Sequence, residues 1–252
     1  SFLVSYLLGL LPWPWTWLAW PPFFFSLFVL SFFRDPHRLI PREANVVVSP
    51  ADGKVTAVEY GKHPFFGEEP IARISIFLSV FNVHVNRMPA DALVLRLRYM
   101  PGKFLDARNP ESGEVNECME IGCCEQKAPY RKFMVRQVAG AIARRIVTDL
   151  APGERVKRGD RFGMIKFGSR TDLLLPAKDL TVVVKIGDMV KGGETVLAQL
   201  PAVESPPPSG PPPSGLTPAE AATTTYFPPP AAAGAYVPPA VEPPASEALH
   251  GS

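Results

Sequence analysis

Gly163-Met164-Ile165-Lys166-Phe167-Gly168-Ser169-Arg170-Thr171-Asp172-Leu173 is the stretch on which the reading of this chain turns. A Gly-Ser pair sits between two apolar runs, Phe162 to Phe167 and Leu173 to Leu175. Glycine admits positive φ and lets another group approach closely. A serine directly after it has an Oγ within reach of the preceding carbonyl. That arrangement suits an internal acyl shift, in which the hydroxyl attacks its own peptide bond. It equally suits a glycine turn between two strands with an incidental serine, and the dipeptide alone does not separate the two.

Outward from this point the chain falls into three parts by composition. Residues 1–33 carry no charged side chain, and residues 201–252 carry four Glu, no Lys or Arg, and fifteen of the thirty prolines. All 26 Lys and Arg lie between, against 20 of the 24 Asp and Glu. The resulting positive middle suits an anionic partner or surface, and no motif points to nucleic acid. The three cysteines, Cys118, Cys123 and Cys124, make a poor disulfide framework. No Cys/His grouping has zinc spacing, so a reducing compartment and no metal are expected.

In the first 33 residues, Pro12, Pro14, Pro21 and Pro22 break the apolar run, with Trp13, Trp15, Trp17 and Trp20 clustered among them. A span needs roughly 20 apolar residues, and the pieces Phe2 to Leu11 and Phe23 to Phe33 are each shorter. A helical hairpin or one kinked span follows, with tryptophans at headgroup level. There is no basic start and no small-residue cleavage site, which argues against a signal peptide. Arg34, His37, Arg38 and Arg42 come next, and the positive-inside rule puts this flank on the cytoplasmic face.

From Val46 to Leu97 the pattern is strand-like. Val46 to Val48 leads into a Pro50-Ala51-Asp52-Gly53 turn, Lys54 to Tyr60 alternates, and Ile71 to Val85 is β-branched and aromatic. Leu93 to Arg98 reads as a half-buried strand, and Asn109 to Asn116 as a loop. In Phe133 to Leu150 the spacing of Met134, Val138, Ile142 and Ile146 predicts a strand leading into a short helix. Gly153 to Asp160 repeats as Gly187 to Glu194, offset by 34 residues. Each copy is a Gly-acid turn, a Val-Lys strand and a second Gly-acid turn, as in hairpins of small biotinyl/lipoyl-type β-sandwiches. A carrier arm would need a lysine at an exposed hairpin tip, and Lys166 adjoins an apolar run instead. The fold expected is mainly β (α+β): a sandwich- or barrel-like catalytic domain over 34–200, membrane helices before it, and a disordered Pro/Ala-rich tail after it.

The chain resembles the phosphatidylserine decarboxylase proenzymes in their short bacterial form. The resemblance rests on Phe162 to Arg170, Ser49 to Val55, Phe81 to Arg87, Pro101 to Phe104 and Val138 to Val147. It implies cleavage between Gly168 and Ser169, giving a β chain 1–168 and an α chain 169–252. It further implies a covalent pyruvoyl group made from Ser169, whose ketone forms a Schiff base with phosphatidylserine at a bilayer, yielding phosphatidylethanolamine. On this footing His84, inside the strand-like Val83-His84-Val85, is the candidate base for Ser169, and Asp52 its orienting partner. Arg144, Arg145, Lys103, Arg87 and Arg170 are candidates for the phosphodiester and carboxylate. Two other classes fit parts of the chain. One is an uncleaved serine hydrolase using Ser169, His84 and Asp52, which lacks a Gly-x-Ser-x-Gly elbow. The other is a membrane-anchored adaptor with a working proline-rich tail.

Overall fold

The computed structural model describes residues 20–201, apart from 108, 110, 111, 128, 129, 142–144, 166 and 167. Most of the first apolar segment, the tail from 202, Arg144 and Lys166 therefore lie outside the described residues. Helix α1 (Trp20–Phe32) precedes a body of strands: β1 (Val46–Val48), β2 (Gly53–Gly61), β3 (Ile71–Leu78), β4 (Val85–Arg87) and β5 (Ala92–Met100). A short helical turn α2 (Ser112–Val115) is followed by β6 (Cys118–Glu125), β7 (Lys132–Val138), β8 (Ile146–Thr148), β9 (Arg155–Val156), β10 (Arg161–Ile165) and β11 (Ser169–Pro176). The last are β12 (Thr181–Val182), β13 (Met189–Val190) and β14 (Val196–Gln199).

Strand β11 starts at Ser169 and runs through the middle of an eight-stranded sheet ordered β13-β2-β3-β11-β7-β6-β5-β9. Its neighbours β3 and β7 are both antiparallel to it. All eight of its residues are buried, so both faces of the sheet are covered there. Odd positions, Leu173 and Leu175, join the main core with Ile74, Ile76, Ile121 and Val135. Leu174 on the other face joins a smaller cluster of Phe65, Phe66, Ile71 and Met134. Burying each such side chain is worth about 1.5–3 kcal/mol, which anchors the strand that begins at Ser169.

Two three-stranded sheets, β1-β14-β12 and β4-β10-β8, complete the body. The second matters for the site. Met164 of β10 faces Val85 of β4, so β10 runs beside His84 just before the chain reaches Gly168.

Lys132–Val138 is the strand expected at the start of Phe133 to Leu150. The far end differs from the short helix expected there: Ile146–Thr148 is a strand paired with β10, and 142–144 lie outside the described residues. Met134 and Val138 fall in one strand and Ile146 in another, so their four-residue spacing comes from separate elements and not from one helical stripe. The 34-residue repeat is visible in the backbone, but not as hairpins. Gly153 and Gly187 have φ of 88° and 103°, and Gly159 and Gly193 have 84° and 80°. Between each pair of turns lies one short edge strand, β9 against β5 and β13 against β2, at opposite ends of the large sheet. The ends curl toward each other: a Cβ on Gly193 would lie 3.8 Å from Gly159 Cα, and Ile40 touches both turns.

Helix α1 is 13 residues long, about 20 Å at 1.5 Å per residue. Within the described residues Pro21 and Pro22 fall in its first turn, where no intrahelical N–H is needed. Among the described residues no helix is long and apolar enough to cross a membrane.

Candidate active site

Gly168 holds φ of +53°, a left-handed conformation that costs any other residue strain. Its carbonyl oxygen packs on Gly140, where an added Cβ would sit only 2.0 Å away. Ser169 then enters β11 opposite Leu78, the last residue of β3. The Ser169 side chain is fully buried, and among the described residues its Oγ has no hydrogen-bond partner. A buried hydroxyl without a partner costs roughly 1–3 kcal/mol, an expense that marks this atom as a candidate for chemistry.

From Leu78 the chain turns through Ser79 to Val83 and reaches His84 at the head of β4. The loop thus carries His84 to the end of the sheet where Ser169 lies. His84 is fully buried, and its Nδ1 lies 2.9 Å from the Asn82 carbonyl oxygen. A carbonyl only accepts, so Nδ1 carries the hydrogen and Nε2 the lone pair. Nε2 is buried with no partner among the described residues. The imidazole stacks on Phe32 of α1 at 4.2 Å between ring centres, 33° between planes. Burial drives its pKa down to about 4, helped by Arg34 and opposed by the Asn82 hydrogen bond and Asp52. His84 is therefore neutral at pH 7, with Nε2 ready to accept a proton.

Asp52 is not hydrogen-bonded to His84. Both its oxygens accept from Arg38 Nη2, at 2.9 and 2.8 Å, and Oδ1 accepts from Gly192 N at 2.7 Å. The expectation that Asp52 fixes the His84 tautomer gives way to the Asn82 carbonyl. Asp52 acts on the ring only through its field.

The basic candidates separate by burial. Arg87 is a strut between Gly159 O (2.9 Å) and Asp35 (2.5 Å). Arg170 points to the face of β11 opposite Ser169, donating to Asp172 Oδ1 at 2.6 Å and Ser75 Oγ at 2.8 Å. It belongs to a buried network with Arg136, Glu120 and His63, in which Glu120 lies 3.3 Å from both the Arg136 and His63 nitrogens. Burial pushes Glu120 upward, but the His63 hydrogen bond and the Arg136 and Arg96 charges outweigh it and hold the carboxyl below its usual range. Arg87 and Arg170 are thus not free to meet a substrate. Lys103 and Arg145 are exposed. Removing one partner of a buried pair leaves an uncompensated charge. Arg170→Ala is expected to cost about 3–5 kcal/mol in urea denaturation; wild-type stability with a raised KM would return Arg170 to the substrate site.

A family profile described as phosphatidylserine decarboxylase matches residues 25–198. The chain belongs to the phosphatidylserine decarboxylase family. It is 50% identical over 176 residues to a phosphatidylserine decarboxylase proenzyme of Symbiobacterium thermophilum, covering 70% of this chain and 80% of that one. To the proenzyme of Chlorobium phaeobacteroides it is 48% identical, covering 69% and 79%, and to that of Carboxydothermus hydrogenoformans 44%, covering 73% and 85%.

In this member of the family, four residues that sequence reasoning did not assign surround the Gly168–Ser169 bond and His84. Gly140 makes room for the Gly168 carbonyl, the Asn82 carbonyl sets the His84 tautomer, Phe32 covers its ring, and Arg38 occupies Asp52. Gly140 and Asn82 lie within the motifs Val138 to Val147 and Phe81 to Arg87 and Arg38 in the basic flank, but nothing in the sequence marks these roles. Gly140→Ala would force the Gly168 carbonyl aside, and a misplacement of about 1 Å can cost 10²-fold in rate. Slow processing of a protein with wild-type circular dichroism is the expected result, followed as a time course on denaturing gels.

Proposed function

We propose that this chain is a proenzyme that cuts itself between Gly168 and Ser169 and, once matured, decarboxylates phosphatidylserine to phosphatidylethanolamine and CO2. The observation that carries the reading is the buried Ser169 Oγ, without a partner among the described residues, behind a left-handed Gly168 and at the sheet end that also holds a neutral His84.

His84 Nε2 takes the Ser169 hydroxyl proton as Oγ bonds to the Gly168 carbonyl carbon. The Gly168–Ser169 C–N bond breaks, and the proton passes to the freed nitrogen, leaving an ester. Loss of the Ser169 α-proton and of the Gly168 carboxylate gives dehydroalanine, which takes up water and releases ammonia, leaving a pyruvoyl group. The products are a chain 1–168 and a chain 169–252 headed by that group. The Ser169 environment fits such a group: the residue is buried, its Oγ has no hydrogen-bond partner among the described residues, and its strand is held between β3 and β7. The pyruvoyl group supplies a ketone that serves as electron sink when CO2 leaves the substrate α-carbon.

His84, Ser169 and Gly168 carry the chemistry, and Asp52 holds Arg38 beside them. Lys103 and Arg145 are offered to the phosphodiester and carboxylate, with Arg144 beside them in sequence. The body 34–200 is the catalytic domain and 1–33 the membrane attachment, with the proline-rich stretch 201–252 after it. An apolar helix followed by Arg34, His37, Arg38 and Arg42 supports a location at the cytoplasmic face of the cell membrane. Intact mass under denaturing conditions tests the reading together with release of phosphatidylethanolamine from phosphatidylserine vesicles. Two chains, one ending at Gly168 and one with a blocked start, are expected. Decarboxylation by a single uncut chain would overturn it.

A further inference from the structure

Phe81 lies in a motif of the chain, yet the chemistry above gives it no task. It is 74% exposed, at the tip of the loop between β3 and β4. That loop is a closed turn: Asn82 Oδ1 accepts from Ser79 N at 2.9 Å and from Ser79 Oγ at 2.8 Å, and Asn82 N donates to Ser79 O at 3.0 Å. The next carbonyl, that of Asn82, holds the His84 imidazole. Arg34 fastens the loop to the end of α1. One of its nitrogens donates to Ser31 O at 2.7 Å, and the other to Phe81 O at 2.7 Å.

Helix α1 is apolar on every side, and only Phe32 is buried against the body. Phe24, Phe25, Leu30 and Phe33 are exposed at 60, 66, 71 and 47%. A lone exposed aromatic needs no explanation, but Phe81 is clamped to the end of an exposed apolar helix. A helix apolar all round belongs in a protein core or a bilayer, and this one leaves the core at Phe32. Exposed Arg34, His37 and Arg42 follow it, suited to anionic headgroups. From these contacts we propose that Phe81 is a second point of insertion into the lipid bilayer. Clamped to α1 by Arg34, it fixes the height of His84 and Ser169 over the headgroup layer. The occupant of this surface is the acyl region of the membrane. The inference rests on bilayer lipid being the substrate, as argued above.

The test uses the full chain carrying Phe81→Cys, labelled with an environment-sensitive fluorophore; the native cysteines are buried, and unsubstituted protein gives their background. Vesicles of phosphatidylcholine and phosphatidylglycerol with brominated acyl chains should shift the emission to the blue and quench it. Floating protein with an unquenched label overturns the inference, as does protein that does not float. So does a label shielded without vesicles by a second copy of the chain. In parallel, Phe81→Asp should lower turnover of vesicular phosphatidylserine roughly tenfold or more, from the lost burial of one phenyl ring. Turnover of a short-chain phosphatidylserine below its micelle concentration should be unchanged. Equal loss on both substrates, or no loss on either, overturns it. If the wild type acts on neither lipid, the enzymatic reading fails, while quenching still decides whether Phe81 enters the bilayer.

Discussion

Ser169→Ala protein is expected to accumulate as one uncut chain of 252 residues with no decarboxylase activity, the largest effect of any single substitution here. The methyl group cannot form the ester. The folded state should not suffer. The Ser169 Oγ is buried without a partner among the described residues, and deleting an unsatisfied buried hydroxyl is neutral or stabilising. Melting temperature should therefore stay level or rise while processing stops, which separates this outcome from a folding defect. Wild-type protein treated with hydroxylamine during maturation supplies the complementary result. The nucleophile should capture the ester and leave a Gly168 hydroxamate on the 1–168 chain, detectable by mass. Cleavage of Ser169→Ala at the normal rate would show that the bond is cut by something other than its own serine.

The parts of this molecule legible in sequence are those with a local signature. Gly168-Ser169 was visible because glycine and serine are small residues interrupting an apolar run, and the left-handed φ at Gly168 follows from that choice of residue. The edge strands β9 and β13 were visible as a repeat, because each lies between two glycines with positive φ. Contacts made by backbone carbonyls or by residues distant in the chain leave no such trace. Asp52 drew the role of His84 partner because a carboxylate is conspicuous, whereas the true Nδ1 acceptor is a carbonyl any residue could supply. Phe32 reaches His84 across 52 positions. Arg170 beside the reactive serine suggested substrate binding, but strand alternation turns it to the opposite face, where Asp172 and Ser75 hold it.

Replacing His84 should slow self-cleavage by about 10²–10⁴-fold, the usual worth of a general base, and its pH signature should distinguish a base from a structural histidine. The pKa of His84 is lowered from 6.5 to about 4, first by burial and then by Arg34, against the Asn82 hydrogen bond and Asp52. Wild-type cleavage should hold its rate as pH falls below 6.5 and decline only on approaching 4. Stability follows the same protonation difference. Between pH 6.5 and 4 the unfolded chain binds a proton at this histidine and the folded chain does not. Stability therefore falls as pH falls through that window, by about 3 kcal/mol at most, and above pH 6.5 this group contributes no slope. His84→Gln keeps a polar side chain, abolishes titration, and should remove this component of the slope in urea denaturation as well as slowing cleavage. Asp52→Asn serves as the contrast. It weakens the bond to Arg38 and removes a charge that raises the His84 pKa, so His84 stays neutral and cleavage should remain close to wild type while stability drops. Wild-type cleavage in folded His84→Gln protein would remove His84 from the reaction. Slow cleavage in both variants would instead restore a direct role for Asp52.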